Sequence, residues 1–505
     1  MTSTMASWPH DDLIHAWWVI PGRLLAGEYP SSVDPQKAAL KLQALLDAGV
    51  DSFVDLTEAG ELLPYHDDLD ATHVRFPIPD TSVIDDAGYH RILAHIRAEL
   101  DAGKTVYVHC WGGKGRTGTV VGSWLIADEG LDYPEVVARL QELRAGTRKA
   151  SFRVPENDTQ HAVLQRRARP RTWFERLTGF AEDRYASVQE LLRADGDELV
   201  SAVNGRRYGI GELTVPSLAE LRDRVDAARG QRTTVSALVG DARALHADKQ
   251  FEGALFQVAS QFNLLEMPSQ RVTPLQGVTG YEHDHTQGPA CALAAGAATI
   301  YRNYLVPCDG GVGQTDVRQL DALAGLGAAF AERTGVPESE LWSMQNGYAL
   351  CTAQGLTAIG GLLRGASAEL LDELRGRLAI GLHRDVQVID VRDERRLVSQ
   401  AFCSALPIGY SHLPRREWEP FARLVLEATY EATLLAGAEQ AGRGGSNVVL
   451  LTRVGGGVFS NDDAWIDEAI ERALGVVEDA GLDVRIVGHR EVSPGVHGII
   501  RRWSR

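Results

Sequence analysis

The sequence predicts two consecutive α/β regions. Three observations predict them. Strand-like and helix-like segments alternate from one end of the 505-residue chain to the other. Residues 108–118 run from a strand through a glycine-rich turn into a helix. Residues 448–475 repeat that layout around three consecutive glycines. At roughly 100–200 residues per domain the length suits two to four domains. The stretch QRRARPRTW (165–173) is the best boundary, being Arg-rich, Pro-containing and unable to build a core.

In the first region, residues 52–56 (SFVDL) and 105–108 (TVYV) read as buried strands, and residues 35–48 and 89–100 read as amphipathic helices beside them. In the second, strands are expected at 253–259, 386–391, 397–405 and 448–452. Helices are expected at 217–229, 289–304, 419–435 and 462–473. Ser217 with Glu220 makes a capping-box signal after Pro216. Ser460 or Asn461 is expected to cap the helix that follows the three glycines.

Composition narrows the function. Apolar residues are 44% and charged residues 24%, and 51 basic against 68 acidic residues give a net charge of −17. That balance argues against a nucleic-acid coat or an anionic-membrane binder. No apolar run reaches the 18 or so residues of a membrane helix, and the first twenty residues carry acids where a signal peptide carries bases. Five scattered cysteines without CxxC spacing predict neither a disulfide framework nor a zinc site, and a cytoplasmic setting is expected.

The first chemical motif is VHCWGGKGRTG (108–118). Cys110 follows a strand, Arg116 lies six positions on, and a helix is expected to begin near Thr117. Backbone N–H groups of such a turn converge on an anion, and the helix N-terminus adds positive potential. The same field stabilises a thiolate. Arg116 can grip two phosphate oxygens, while Gly112, Gly113 and Gly115 permit close backbone approach. Thr117 is placed to hydrogen-bond the leaving thiolate. Trp111 and Lys114 complete the turn, Lys114 adding positive charge.

These residues resemble the HCxxGxxR[ST] signature of the protein tyrosine and dual-specificity phosphatases, over about Trp17 to Arg167. PGRLLAGEYP (21–30) is similar to the opening strand region of the small members. The resemblance implies a cysteine-phosphatase fold over residues 1–168 and phosphomonoester hydrolysis through a cysteinyl-phosphate. It gives Cys110, His109, Arg116 and Thr117 to the signature and the general acid to Asp80 in FPIPDTSV, with Asp85 and Asp86 as substitutes. Gln160 stands where members place a water-orienting glutamine.

The second motif pair lies further on. In LFQVASQFNLLEM (255–267) a strand runs into a polar tip, and a helix rich in small residues is expected to start near Gly288–Pro289. Glu266, Glu282 and Asp284 precede that helix. Such a start attracts anions, and the carboxylates suit acid/base or ribose-binding roles. The strand–GGG–helix of residues 448–475 is another anion nest. It has neither GxGxxG in a first βα unit nor GK[ST], which argues against dinucleotide-fold dehydrogenases and P-loop NTPases.

Together with YEHDHTQGPACALAAGAATIYRNY (281–304), WSMQNGYAL (342–350), VSQAFCSALPIGYS (398–411) and VGGGVFSNDDAWI (454–466), these stretches resemble the macrodomain superfamily. The likeness is to its poly(ADP-ribose)-glycohydrolase-like branch and the MavL-like ADP-ribosylhydrolases. It covers residues 172–505, with 172–240 as an N-terminal extension. It implies a three-layer α/β/α sandwich with a mixed sheet, ADP-ribose binding, and hydrolysis of mono-ADP-ribosyl–protein bonds. Asp284, Glu282 and Glu266 would be catalytic. Asn263, Gln287 and Gly288 would touch ribose or phosphate. Gly455, Gly456, Gly457, Val458 and Phe459 would wrap the diphosphate, with Asn461 beside them. The chain has Ser-Gln-Phe-Asn where classical macrodomains have Asn-Ala-Ala-Asn, and it lacks the paired Glu of the polymer-cleaving enzymes. The expected reading is therefore a bifunctional hydrolase with no cofactor and no metal. Its partners are a phosphorylated substrate and ADP-ribose or an ADP-ribosylated protein, with neither membrane nor nucleic acid. The alternative is an ADP-ribose reader that directs the phosphatase.

Overall fold

The structure, a computed structural model, describes residues 8–65, 69, 71–168, 171–225, 230–391 and 395–504. It divides into two compact units, Met1–Arg171 and Thr172–Arg505.

The first unit runs β1 (Ala16–Ile20), β2 (Leu24–Gly27), α1 (Pro35–Asp47), β3 (Ser52–Asp55), β4 (Thr72–Arg75), α2 (Asp86–Asp101), β5 (Val106–His109), α3 (Gly115–Glu129), α4 (Tyr133–Leu143) and α5 (Asp158–Arg167). Its sheet has the order β1-β2-β5-β3-β4, antiparallel only between β1 and β2. The strands are apolar on both faces because both are covered. Val54, Val108, Ile92 and Val120 share one core, and Phe53, Tyr107 and Leu45 share another. Gly27, His109 and Asp55 are register partners across β2, β5 and β3. Three parallel strands therefore end level, and the residue after His109 emerges at their carboxyl edge, where α/β sheets place ligands.

Helix ends are set locally. Asp34 accepts from the Gln36 and Lys37 amides ahead of Pro35, and Asp85 accepts from the Gly88 amide. Asp132 and Glu135 form a capping box on α4. By contrast α3 has no side-chain cap, so its first N–H groups remain for another acceptor.

The second unit runs α6 (Trp173–Thr178), α7 (Tyr185–Leu191), β6 (Leu192–Asp195), β7 (Glu198–Ser201), β8 (Arg207–Gly209), β9 (Glu212–Thr214), α8 (Leu218–Arg224), β10 (Thr234–Val239), α9 (Ala242–Ala247), β11 (Leu255–Ala259), α10 (Gln287–Ala294) and α11 (Gly296–Tyr304). It continues with β12 (Pro307–Cys308), β13 (Gly311–Val312), α12 (Ala324–Thr334), α13 (Glu338–Leu341), β14 (Trp342–Gln345), β15 (Tyr348–Cys351), α14 (Ala353–Arg364), α15 (Ala368–Gly376), β16 (Gly381–Gln387), β17 (Leu397–Cys403), α16 (Arg415–Gly442), β18 (Val448–Leu451), α17 (Asp463–Val476), β19 (Asp483–Gly488) and α18 (Pro494–Trp503). The main sheet has the order β10-β19-β18-β11-β17-β16-β9 and is mixed, β16 being antiparallel to both its neighbours. Side chains alternate between two buried faces. Phe256, Val398 and Leu450 pack with Leu245, Ala295 and Ala298, whereas Leu255, Val449 and Val484 join Val425 and Ile466.

Several elements differ from the sequence expectation. The helix expected over 289–304 is two helices, α10 and α11, meeting at Ala295 (φ −110°, ψ 50°). Its small residues let the chain bend there, and the Ile389 amide caps the Ala294 carbonyl (2.9 Å). The strand expected at 386–391 starts instead at Gly381 and ends at Gln387. The buried His383 and Arg384 disguised its first half as polar. Residues 165–167 of the expected linker are the last turn of α5. Trp173 at its other end is 2% exposed and opens α6, while residues 169 and 170 lie outside the described residues. The described part of the helix expected at 217–229 ends at Arg224, and residues 226–229 are outside the described residues. Asp462, not Ser460 or Asn461, caps α17. Among the described residues no helix is long and apolar enough to cross a membrane.

Candidate active sites

In the first unit, Cys110 sits at the carboxyl end of β5, 3% exposed. The turn after it is tied down on several sides. The Trp111 carbonyl accepts from the Tyr29 amide (2.9 Å) and the Gly112 carbonyl from Lys149 Nζ (3.0 Å). Gly113 has φ +70°, and a Cβ there would lie 2.6 Å from the Gly27 carbonyl carbon, so only glycine fits. A Cβ on Gly115 would meet the Gln160 side-chain amide at 2.8 Å. The Trp111 side chain is exposed, and Lys114 pairs with Glu156 (2.7 Å) over the Phe152 ring.

Arg116, in the first turn of α3, returns its guanidinium to this turn and is 2% exposed. It donates to both carboxylate oxygens of Glu61 (2.6 and 2.7 Å) and to the Ile78 carbonyl (3.0 Å), and pairs with Asp80 (2.9 Å). Burial works against its charge, but Glu61, Cys110 and Asp80 outweigh that and hold it cationic. Its buried Nε–H has no partner among the described residues, which leaves one donor open there. The Asp80 loop is held by Asn157, which donates to the Thr81 carbonyl (2.8 Å), and by Gln160, which reaches the Ser82 carbonyl (3.5 Å).

His109 lies under the turn, with Nε2 2.5 Å from the Tyr65 hydroxyl. Burial lowers its pKa to about 4, so it is neutral and supports the turn rather than supplying charge. Beside it, Asp55 is fully buried. Desolvation opposes its charge, but His73, His109 and Thr57 overcome that and hold its carboxyl well below the usual range. Arg75 adds two hydrogen bonds (2.8 and 3.0 Å).

Two expectations for this site need correction. The helix starts at Gly115, not Thr117, because the turn closes two residues sooner. The substitutes for Asp80 are engaged elsewhere: Asp85 caps α2 and Asp86 pairs with Arg166 and Arg167. The Thr117 hydroxyl donates to the Gly27 carbonyl (3.4 Å), which ties α3 to β2. Sequence reading missed Glu61, which lies 55 positions from Arg116 in no recognisable motif.

With this geometry in view, residues 15–173 match the family model described as the Swiss Army Knife protein, DSP-PTPase phosphatase domain. The N-terminal unit is a DSP-type PTPase domain. Solved structures similar to the chain include Tk-PTP in its active form, 29% identical over 30% of this chain and 95% of that one, TM-score 0.26. Human tyrosine phosphatase-like serine/threonine/tyrosine-interacting protein is 23% identical over 30% and 93%, TM-score 0.25. PTPMT1 in complex with PI(5)P is 18% identical over 30% and 94%, TM-score 0.25.

In the second unit a cavity of about 230 Å³ opens at the carboxyl ends of β11 and β18. Glu266, Asp284, Gln287 and Gly288 line one side, and Gly455, Gly457, Val458 and Phe459 line the other. Gln287 fastens α10 to β11: its Oε1 accepts from the Ala259 amide and its Nε2 donates to the Gln257 carbonyl (both 2.9 Å). A Cβ on Gly288 would lie 2.0 Å from the Ala259 carbonyl oxygen, so the helix start touches the strand end directly. The Asp284 carboxylate accepts from the Thr286 amide (2.9 Å) and hydroxyl (2.7 Å). Tyr348, Tyr410 and Phe459 stand 5.2–5.7 Å apart by ring centroids at the cavity, the two tyrosines going unforeseen.

Four expected site residues, the catalytic candidate Glu282 among them, are not on this wall. Asn263 is buried, bonding Gln319 (3.0 Å) and the Leu265 amide (3.2 Å), so it shapes the turn after β11. Glu282 turns to the Trp173 amide (3.3 Å). Asn461 holds the glycine loop from behind through the Leu406 (2.9 Å) and Gly455 (3.3 Å) carbonyls. Gly456 faces a neighbouring cavity of about 280 Å³ at the ends of β18 and β19. Among the described residues no cluster of three or more His, Cys, Asp or Glu is placed to hold a metal ion.

Proposed function

We propose that the chain is a bifunctional hydrolase. Its N-terminal unit cleaves phosphomonoesters. The Cys110 thiolate attacks phosphorus while Arg116 and the turn amides hold the phosphoryl oxygens. Asp80 protonates the leaving oxygen, and water then hydrolyses the cysteinyl-phosphate. The observation that carries this is Arg116: buried, cationic, with one orphaned donor, and shared with Asp80. The incoming phosphate joins or replaces the carboxylates already on the guanidinium.

The C-terminal unit we propose to be a macrodomain-like module that binds ADP-ribose and hydrolyses a mono-ADP-ribosyl–protein bond. This reading is supported by the mixed, doubly covered sheet and by a cavity walled by a glycine loop, a helix start and two carboxylates. The loop amides and the helix N-terminus suit a diphosphate. Asp284 and Glu266 suit the positive charge that develops on the ribosyl carbon.

The test uses the full chain. Wild type hydrolyses a generic aryl phosphate, and Cys110→Ser loses on the order of 10⁴-fold or more; retained activity removes the phosphatase assignment. In parallel, calorimetry with ADP-ribose registers binding, and a mono-ADP-ribosylated protein releases ADP-ribose. Binding without release identifies the reader alternative, and no binding removes the C-terminal assignment.

A further inference from the structure

Behind the C-terminal cavity lies a cation that the proposed function leaves unused. Arg302, on α11, is completely buried. Its Nε donates to the Leu264 carbonyl (3.1 Å), one terminal nitrogen to Thr299 (3.2 Å), and the other reaches His383 Nδ1 (3.4 Å). The guanidinium carbon lies over the Phe402 ring, 3.8 Å from its centroid. Fixed on every side, it presents its remaining contact to the buried carboxylate of Glu266 (3.2 and 3.5 Å), a residue that lines the cavity.

Other elements also surround Glu266. From the segment before α10 the Tyr281 hydroxyl accepts from the Glu266 amide (3.1 Å) and also hydrogen-bonds the Glu266 carboxylate. Gly288 on α10 leaves room for its stem, a Cβ there being only 3.2 Å from Glu266 Cγ. The Cys291 thiol on the same helix is pushed up by burial and then by Glu266, so it stays protonated. His383, on β16 behind Arg302, is held neutral by burial and by that arginine. Asp284 and Tyr348 face the same cavity. Burial pushes Glu266 up to about 7, with Arg302 pulling the other way.

We infer that Arg302 is a positioning residue that holds the Glu266 carboxylate and its negative charge at the cavity wall, so that Glu266 takes the proton of the attacking water. The inference rests on the ADP-ribosyl reading above. As the water oxygen bonds the anomeric ribosyl carbon, its proton passes to Glu266. The carbon–acceptor bond breaks, its electron pair leaves with the acceptor atom, and the Glu266 carboxyl returns the proton there. The net change is one water added across the bond.

The test is difference infrared titration of the full chain, following the protonated-carboxyl band that Glu266→Gln removes. That band titrates near pH 7 in wild type. In Arg302→Gln its midpoint rises so that proton affinity increases about tenfold or more, with Arg302→Lys in between. Arg302→Lys serves alone where the glutamine variant does not fold. Release of ADP-ribose falls as pH drops through the same midpoint, and that limb moves upward with it, while ADP-ribose affinity stays unchanged. A midpoint unmoved by substitution at Arg302, in a chain whose wild type releases ADP-ribose, overturns this inference alone. No release by wild type at any pH overturns the hydrolase reading and this inference together.

Discussion

The two sites solve one problem by different means. Each places a glycine-bearing loop and a helix start at the carboxyl ends of parallel strands, where main-chain amides suit an anion. In the N-terminal site nearly everything comes from one short segment: the nucleophile, the turn and the arginine lie within residues 110–116. In the C-terminal site the walls come from segments more than a hundred positions apart, residues 259–289 and 405–459, with Tyr348 between them in sequence. The first is a local motif that packing completes. The second exists only once the sheet has formed.

That contrast can be broken experimentally. After Cys110, the largest effect is expected at Asp80. Asp80→Asn should lower kcat on an alkyl phosphate by roughly 10²–10⁴-fold and less on an aryl phosphate with a good leaving group. Equal losses on both would mean that Asp80 acts only through Arg116. Next comes Gly288→Ala, which forces a Cβ onto the Ala259 carbonyl. It should destabilise the C-terminal unit by about 1–3 kcal/mol and weaken ADP-ribose binding, leaving aryl-phosphate hydrolysis intact. An effect on both activities would deny that the sites are built independently.

The smallest effect concerns pH. The carboxyl of Asp55 is depressed in the fold, so its contribution is present in full above the unfolded value of about 3.9 and fades as pH falls below it. Asp55→Asn should cost about 1–3 kcal/mol at neutral pH, read from hydrogen exchange of the β3 and β5 amides. The gap from wild type should narrow below about pH 4. A gap independent of pH would assign Asp55 a role in shape and none in charge.

How much was readable follows from the same distinction. Cys110, Arg116 and the turn glycines were legible because their chemistry needs them at fixed short spacing. Asp80 could be picked out because it precedes them by one strand and one helix, and the fold pairs it with Arg116. Glu61 was not, since nothing local marks a glutamate that will meet Arg116. Among the acids of the second unit, spacing could not separate Glu266 from Glu282. One is buried against Arg302 and the other turns to the Trp173 amide. Tyr348 and Tyr410 carried no role in the sequence reading, and only folding brought them to Phe459.

The sequence by itself determined the α/β class, the strand–turn–helix units and the chemistry of the cysteine turn, because hydrophobic periodicity and short-range backbone demands are written in neighbouring residues. Tertiary structure alone decided which carboxylates face a cavity, which cap a helix and which neutralise a buried cation. Those outcomes depend on where burial excludes water and on which partner, often more than thirty positions away, arrives to replace it.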